Sequence, residues 1–234
     1  MSNEHSFETY LFISQKKFII CVINNISLET IYSEQILLED SYNDFTFKML
    51  NEFIENNIFK IEKILNNFVK NVYIILDSEE FFSVKLSIKK NNNGNHIDSN
   101  SLIHPLNDLK NSCQTNFNEK KIIHMLIENY LVDNKSYSSL PLNKKCNFFS
   151  LDVNFICLSK NFIDDLEKIL KKYHILISQI LYADYVENFI DQNHQTIFST
   201  ASRIKSGLNE NEVLLVGKTF KNKGFFEKFF DFFS

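Results

Sequence analysis

The six histidines are the first candidates for catalysis or metal binding, because imidazole serves both purposes near neutral pH. They are His5, His96, His104, His124, His174 and His194. No H-x-H, H-E-x-x-H or Cys/His zinc spacing occurs among them. His124 stands within an apolar run, which favours a partnered core or edge residue over a metal ligand. The histidines therefore predict no metal site.

The other reactive residue types also lack a catalytic arrangement. The four cysteines, Cys21, Cys113, Cys146 and Cys157, contain no C-x-x-C pair, and neither a Cys–His signature nor a G-x-S-x-G turn occurs. Phosphate-binding loops need glycine for close backbone approach, and the four glycines stand far apart. Adjacent acids such as Asp164–Asp165 fit a helix start or a turn. The sequence thus predicts no catalytic residue, no cofactor and no metal, and a protein that is not an enzyme.

The segment "GFFEKFFDFF" has the strongest pattern of the chain. At about 100° per residue, six phenylalanines fall within an arc of about 160°, opposite Glu227, Lys228 and Asp231. Three lysines precede them, where they can meet anionic headgroups. These patterns predict an amphipathic helix whose apolar face either packs against the protein's own core or binds a membrane surface. The predicted membrane-binding residues are Phe225, Phe226, Phe229, Phe230, Phe232, Phe233, Lys218, Lys221 and Lys223.

Composition narrows the class of protein. The net charge of −4 gives no general attraction to nucleic acid. The scattered cysteines suggest reduced, mostly buried thiols in a cytosolic protein. The stretch "MSNEHSFETY" lacks the basic and apolar regions of a signal peptide, and no apolar run approaches the roughly 20 residues of a spanning helix. We therefore expect a cytoplasmic protein, and if it contacts a membrane we expect it to lie on the surface.

Strand and helix patterns follow one another along the chain. "ETYLFI" and "KFIICVI" predict a hairpin, and "SLETIYSEQILLED" can supply a third strand. Apolar residues then recur at helical spacing from Phe47 to Phe68. "NVYIIL" and "FFSVKLSIKK" predict strands, and "SLIHPLNDLKNSCQTNF" a weak helix. Two long strands, a helix over "KNFIDDLEKILKKYH", the strand "ILISQIL" and a helix over "YADYVENFIDQN" come next. The order predicts an α+β fold.

Four stretches between residues 70 and 190 resemble the actin-related bacterial cell-division protein FtsA. "NVYIILDSEEFFSVKLS" is similar to the strand pair that enters the small subdomain inserted in that family. "IIHMLIENYLVDN" is similar to a family strand, with His124, Ile127, Tyr130 and Asp133 in matching places. "LDVNFICLSKNFIDDLEKILKKYHI" resembles the following strand and helix, and "LISQILYADYVENFI" the return to the actin-like core.

The resemblance implies a division of the chain into four parts. Residues 1–79 would begin a truncated actin-like first subdomain, and residues 80–177 would form an inserted strand–helix–strand–strand subdomain. Residues 178–217 would return to the core and form a linker, and residues 218–234 would be the amphipathic membrane-targeting helix that this family carries at its end.

The phosphate loops of the family are missing. Members begin with an acidic residue followed by "IGT", whereas this chain has "LFISQKK", with Phe12 at the acidic position and Ser14 at the glycine. A second loop of the type "vDIGGGTtd" does not follow the insert. We also expect the chain to be too short for the second lobe, which holds the docking site for the tubulin-like protein FtsZ. ATP binding is therefore not carried over.

The resemblance suggests a non-catalytic FtsA-like division adaptor. Its implied partners are anionic lipid at the membrane surface, FtsZ or other division proteins, and a second copy of the chain. One alternative is a pilus-assembly adaptor of the related PilM type, and another is a divergent actin-like ATP-binding protein. The remaining alternative is a soluble scaffold whose aromatic segment packs on its own core.

Overall fold

The computed structural model describes residues 7–38, 47–191 and 196–213. They divide into two compact units, one drawn from residues 1–80 and 160–205 and the other from residues 81–159 and 206–234. The strands are β1 (Phe7–Ile13), β2 (Lys17–Asn24), β3 (Thr30–Leu37), β4 (Asn71–Leu76), β5 (Phe82–Asn91), β6 (Lys120–Val132), β7 (Lys135–Tyr137), β8 (Phe148–Ser159) and β9 (Leu176–Tyr182). The helices are α1 (Phe47–Leu65), α2 (Asn100–Asn116), α3 (Lys160–Lys171), α4 (Ala183–Glu187) and α5 (Ile197–Lys205).

The first unit contains a five-stranded sheet in the order β3-β2-β1-β4-β9. The first three strands form an antiparallel meander, and β4 and β9 continue the sheet in parallel. Residues Tyr10–Ile13 are buried on both faces of β1, as their apolar run requires. The ring of Phe18 packs against Phe53 of α1, and Tyr10 packs against Phe198 of α5.

Helix α1 ends before the apolar pattern in the sequence does, since that pattern continues to Phe68. Leu50, Ile54, Ile58 and Ile61 are buried as the helical spacing predicts. The helix ends at Leu65, and Asn66 takes a positive φ of 48°, a conformation in which the helix cannot continue. The predicted inward position of Phe68 is therefore wrong, since its side chain is 70% exposed.

The second unit contains an antiparallel four-stranded sheet in the order β5-β8-β6-β7, with α2 against one face. Its chain order of strand, helix, strand, strand confirms the predicted inserted subdomain and the α+β fold class, with β7 as a short additional strand. Apolar residues of α2 and of the strands form one core, among them Leu102, Leu106, Val84, Met125 and Phe155.

The observed units differ from the predicted ranges in where α3 lies. The predicted insert ran to residue 177, whereas the second unit gives way to the first after Ser159. Helix α3 contacts α1 through Phe162 and Phe47, whose ring centroids are 5.5 Å apart. Lys172, just beyond α3, donates to Asn51 Oδ1 at 3.1 Å. These contacts explain why α3 belongs with the first sheet.

Two further points concern the end of the chain. Helix α5 had no counterpart among the predicted elements, because its apolar residues cover barely two turns. The predicted amphipathic helix over residues 218–234 lies outside the described residues. In the described ranges, no helix is long and apolar enough to cross a bilayer.

Candidate functional site

All nine predicted membrane-binding residues lie outside the described part of the chain. They are Phe225, Phe226, Phe229, Phe230, Phe232, Phe233, Lys218, Lys221 and Lys223. The structure therefore bears on function through two other places, the β1–β2 turn and the edge of β6 where the described chain ends.

The β1–β2 turn stands where the resemblance places the first phosphate loop. Ser14 Oγ accepts hydrogen bonds from the amides of Lys16, at 3.2 Å, and Lys17, at 3.1 Å. The Ser14 amide and hydroxyl both donate to the Lys17 carbonyl, at 3.0 Å and 3.1 Å. The amides of Ser14, Lys16 and Lys17 are thus satisfied within the turn, whereas a phosphate loop directs such groups at an anion.

Phe12 takes the place of the family's acidic residue, and its side chain is buried in the sheet. The Lys17 ammonium lies 5.4 Å from the centre of the Phe12 ring, a cation–π contact. An apolar ring offers no oxygen ligand to a magnesium ion. The role of Phe12 is therefore to pack in the core.

The matching places of "IIHMLIENYLVDN" lie along β6, where they hold the last described segment of the chain. His124 Nδ1 and Glu212 Oε1 are 2.7 Å apart, and both side chains are almost fully buried. The tyrosine of the motif, Tyr130, donates to Asn211 Oδ1 at 3.2 Å. Burial raises the pKa of Tyr130 to about 12, so the phenol stays a donor at neutral pH.

Backbone hydrogen bonds extend this attachment, which we call the C-terminal clamp and define as β6 with residues 209–213. The Ile127 amide donates to the Asn211 carbonyl at 2.9 Å, and the Val213 amide donates to the Met125 carbonyl at 2.8 Å. Val213 is buried in the core of the second unit. The clamp fixes the chain immediately before residues 214–234, which include the predicted membrane-binding segment.

Asp133 and Asn134 close the β6–β7 hairpin. Both have positive φ, 43° and 66°, as a two-residue type I′ turn requires. The Asp133 carboxylate also accepts from the amides of Asn147 and Phe148 at 3.1 Å. Asp133 therefore ties the hairpin to the start of β8, and its role is structural.

A second polar cluster, which sequence spacing did not single out, joins β1 to α5 in the first unit. The Glu8 carboxylate accepts from Tyr10 Oη at 2.6 Å and from Ser202 Oγ at 3.2 Å, and it forms an ion pair with Lys205. The Lys205 ammonium also lies 4.2 Å from the centre of the Tyr73 ring. Burial raises the pKa of Tyr10 well above its ordinary value. No local motif joins residues almost 200 positions apart, so only the fold reveals this cluster.

Among the described residues, the cysteines are not arranged as nucleophiles and the acidic and imidazole side chains are not arranged as metal ligands. All four cysteines are buried, and burial raises the pKa of Cys157 to about 12 and that of Cys21 to about 11. Thiols of this kind are poor nucleophiles. Among the described residues, no group of three or more His, Cys, Asp or Glu side chains is placed to hold a metal ion.

Comparison with known proteins gives similarity at the level of fold. No protein-family model and no curated protein sequence matches the chain. A structure of the "PilM-PilN type IV pilus biogenesis complex" matches 76% of this chain and 48% of its own, at 7% identity and a TM-score of 0.49. The cytoplasmic domain of EpsL, an inner membrane component of the type II secretion system of Vibrio cholerae, matches 81% and 60%, at 14% identity and a TM-score of 0.37.

A third structure is a Bacteroides thetaiotaomicron protein described as having an actin-like ATPase fold and unknown function. It matches 81% of this chain and 58% of its own, at 12% identity and a TM-score of 0.35. The chain thus spans about half to three fifths of the length of these proteins. At these identities and TM-scores the likeness concerns the arrangement of strands and helices alone, and not activity or partners.

Proposed function

We propose that this chain is a non-catalytic adaptor of a bacterial inner-membrane assembly, built on a truncated actin-like subdomain with an insert. The β1–β2 turn is the observation that carries the proposal. The amides of Ser14, Lys16 and Lys17 are satisfied within this turn, and buried Phe12 takes the place of an acidic residue. Both features oppose binding of a magnesium nucleotide.

Calorimetry with ATP and magnesium tests the non-catalytic part. We expect no saturable heat of binding. Saturable binding in the micromolar range would favour the divergent actin-like ATP-binding protein instead. A thermal melt with and without ATP provides an independent check, because a ligand that binds only the native state raises the melting temperature.

Membrane attachment is the second part of the proposal. Residues 218–234 would form an amphipathic helix on anionic lipid at the inner face of the plasma membrane, in a cytoplasmic protein. Full burial of a phenylalanine side chain is worth about 1.5–3 kcal/mol, and each lysine near an anionic surface about 1 kcal/mol. Insertion is shallow and ordering the helix costs entropy, so one copy binds reversibly.

Flotation with liposomes that contain anionic lipid tests the attachment. The full chain should float, and a variant with Phe226→Ser, Phe229→Ser and Phe233→Ser should stay at the bottom of the gradient. Phe59→Ser is the matched control, since Phe59 of α1 is 80% exposed and lies outside the predicted helix. Equal flotation of the triple variant and the full chain would contradict the proposal.

The kind of assembly has two candidate forms. A pilus or secretion form, of the PilM type, agrees with the names of two of the structural neighbours. A division form, of the FtsA type, with FtsZ or another division protein as partner, rests on the motifs around His124 and Tyr130 and on the aromatic segment. A fluorescent fusion separates the two forms. A band at the division site supports the division form, and even membrane staining with loss of surface pili on deletion supports the other.

A further inference from the structure

Two helix-to-strand connections of the first unit lie side by side at one end of its sheet. One leads from α1 into β4 and the other from α3 into β9. Strands β4 and β9 are parallel neighbours, and at their starts the Leu176 amide donates to the Lys70 carbonyl at 2.9 Å. We call residues 62–71 and 171–176 the paired connections.

Three large apolar side chains of the paired connections are exposed. The exposed fraction is 70% for Phe68, 60% for Leu176 and 54% for Ile64. A single exposed apolar residue is common on a protein surface, whereas several at one place indicate a surface that binds something. The end of α1 at Leu65 leaves Phe68 outside the helix, so no helical face packs its ring inward.

The same residues carry an excess of positive charge. Their charged side chains are four lysines and one acid, Lys63, Lys70, Lys171, Lys172 and Glu62. Lys171 pairs with Glu167 at 3.0 Å on the exposed surface, and Lys172 donates to the neutral side chain of Asn51. Neither Lys63 nor Lys70 has an ion-pair partner among the described residues.

The lysines alone have another explanation, because α1 and α3 both end here and the negative end of a helix dipole attracts cations. The dipoles do not explain an exposed phenylalanine beside an exposed leucine, whose removal from water is favourable. Apolar and basic side chains together fit an anionic membrane surface, where apolar groups enter the interface and lysines meet the headgroups.

We propose that the paired connections bind anionic phospholipid headgroups, as a second membrane contact besides the aromatic segment. The inference rests on the proposed membrane attachment for its partner, but it assigns different residues. Stable attachment through weak contacts takes two of them. A chain that carries both contacts gains avidity, because the second one forms within a molecule already bound.

A membrane fits this place better than a peptide does. Peptides bind mostly along a sheet edge or in an apolar groove. The exposed side chains of Ile64, Phe68 and Leu176 precede β4 or open β9, so they stand at the end of the sheet and not along its edge. A layer of headgroups can contact both connections at once.

Equilibrium binding of the full chain to vesicles tests the inference, with phosphatidylcholine alone and with added phosphatidylglycerol. Phe68→Ser with Lys70→Glu should weaken binding to the anionic vesicles at least about tenfold, because it removes an apolar ring and reverses one charge. The matched control is Phe59→Ser with Lys60→Glu, since both residues are exposed on α1 outside the paired connections. The control should bind as the original chain does.

A second arm separates this contact from the aromatic segment. The variant with Phe226→Ser, Phe229→Ser and Phe233→Ser should keep a weak binding at high lipid concentration that flotation does not retain. This binding should require anionic lipid and fall between about 0.05 M and 0.5 M salt, since salt screens exposed charges. Adding Phe68→Ser with Lys70→Glu should abolish it. If the aromatic segment does not bind lipid, the triple variant and the original chain bind alike, and the loss on this addition still appears.

Two results would overturn the inference. One is equal binding of the original chain and the variant with Phe68→Ser and Lys70→Glu, which would assign the exposed patch to a protein partner instead. The other is an equal loss of binding in the matched control, which would show that any exposed ring and lysine have this effect. Circular dichroism of each variant verifies that it is folded.

Discussion

At the scale of single residues, the motif on β6 acts through partners that are distant in the sequence. His124 meets Glu212, Tyr130 meets Asn211, and Asp133 holds the start of β8. His124 was predicted to be a partnered core or edge residue, and the structure confirms this, because its ring is buried against a carboxylate. The sequence could not identify Glu212, since no local spacing links positions 88 residues apart.

We expect His124→Ala to destabilise the protein by about 3–5 kcal/mol, because it removes the ring that faces a buried carboxylate. Replacing both partners, His124→Leu with Glu212→Leu, should cost less than the single change, since no buried polar group is left without its partner. The free energy of unfolding in urea measures both. A double variant that is less stable than His124→Ala would contradict this account of the pair.

The buried thiols predict a loss of stability in alkali. Burial raises the pKa of Cys157 from 9.0 to about 12 and that of Cys21 from 9.0 to about 11, so both stay neutral in the folded state. Above about pH 9 the thiols of the unfolded chain ionise first, so the free energy of unfolding falls as pH rises from there. Urea unfolding at about pH 8 and pH 10.5 measures the drop.

Cys157→Ala provides the matched comparison for this alkaline effect. The variant should show a smaller drop between the two pH values, since it removes one group with a raised pKa. Equal drops in the variant and the original chain would contradict the assignment to Cys157.

At the scale of elements, the periodicity of apolar residues predicted the helices and strands that bury a long continuous face. The meander, α1, α2, α3 and the two long strands of the insert were all found. Two shorter elements were missed, because β7 has three residues and α5 has nine, too few for a periodic pattern. The position of Phe68 was wrong because the positive φ of Asn66 ends α1 before that residue.

The β6–β7 turn offers a test at this scale. Asn134 has a φ of 66°, which a β-branched side chain adopts at a cost. We expect Asn134→Val to lower the free energy of unfolding by about 1–2 kcal/mol. Asn134→Gly should change it little or raise it slightly, and similar losses in both variants would argue against a conformational cause.

At the scale of the whole molecule, the chain leaves the second unit at Ser159 and returns to it after Lys205. The returning segment supplies Glu212 and Val213 to the C-terminal clamp, and both are buried. Residues 209–213 of the clamp therefore contribute to the stability of the second unit.

Two truncations test this role of the clamp. Ending the chain after residue 205 should destabilise the second unit by more than about 3 kcal/mol, because His124 loses Glu212 and the β6 edge is uncovered. Ending it after residue 213 should leave the melting temperature unchanged. A marked loss in the second truncation would show that residues 214–234 pack on the protein, which would contradict the membrane proposal.

The sequence by itself determined the α+β class, because alternation and helical spacing are local properties of the chain. The strand–helix–strand–strand insert was implied by the resemblance of four stretches to a known family. It also indicated that the β1–β2 turn lacks the acid and glycine of a phosphate loop, which are single-residue identities. Only the tertiary structure decided that Glu8 pairs with Lys205, that His124 pairs with Glu212, and that α3 belongs with the first sheet. These contacts join distant parts of the chain, and burial and packing select them without leaving any spacing in the sequence.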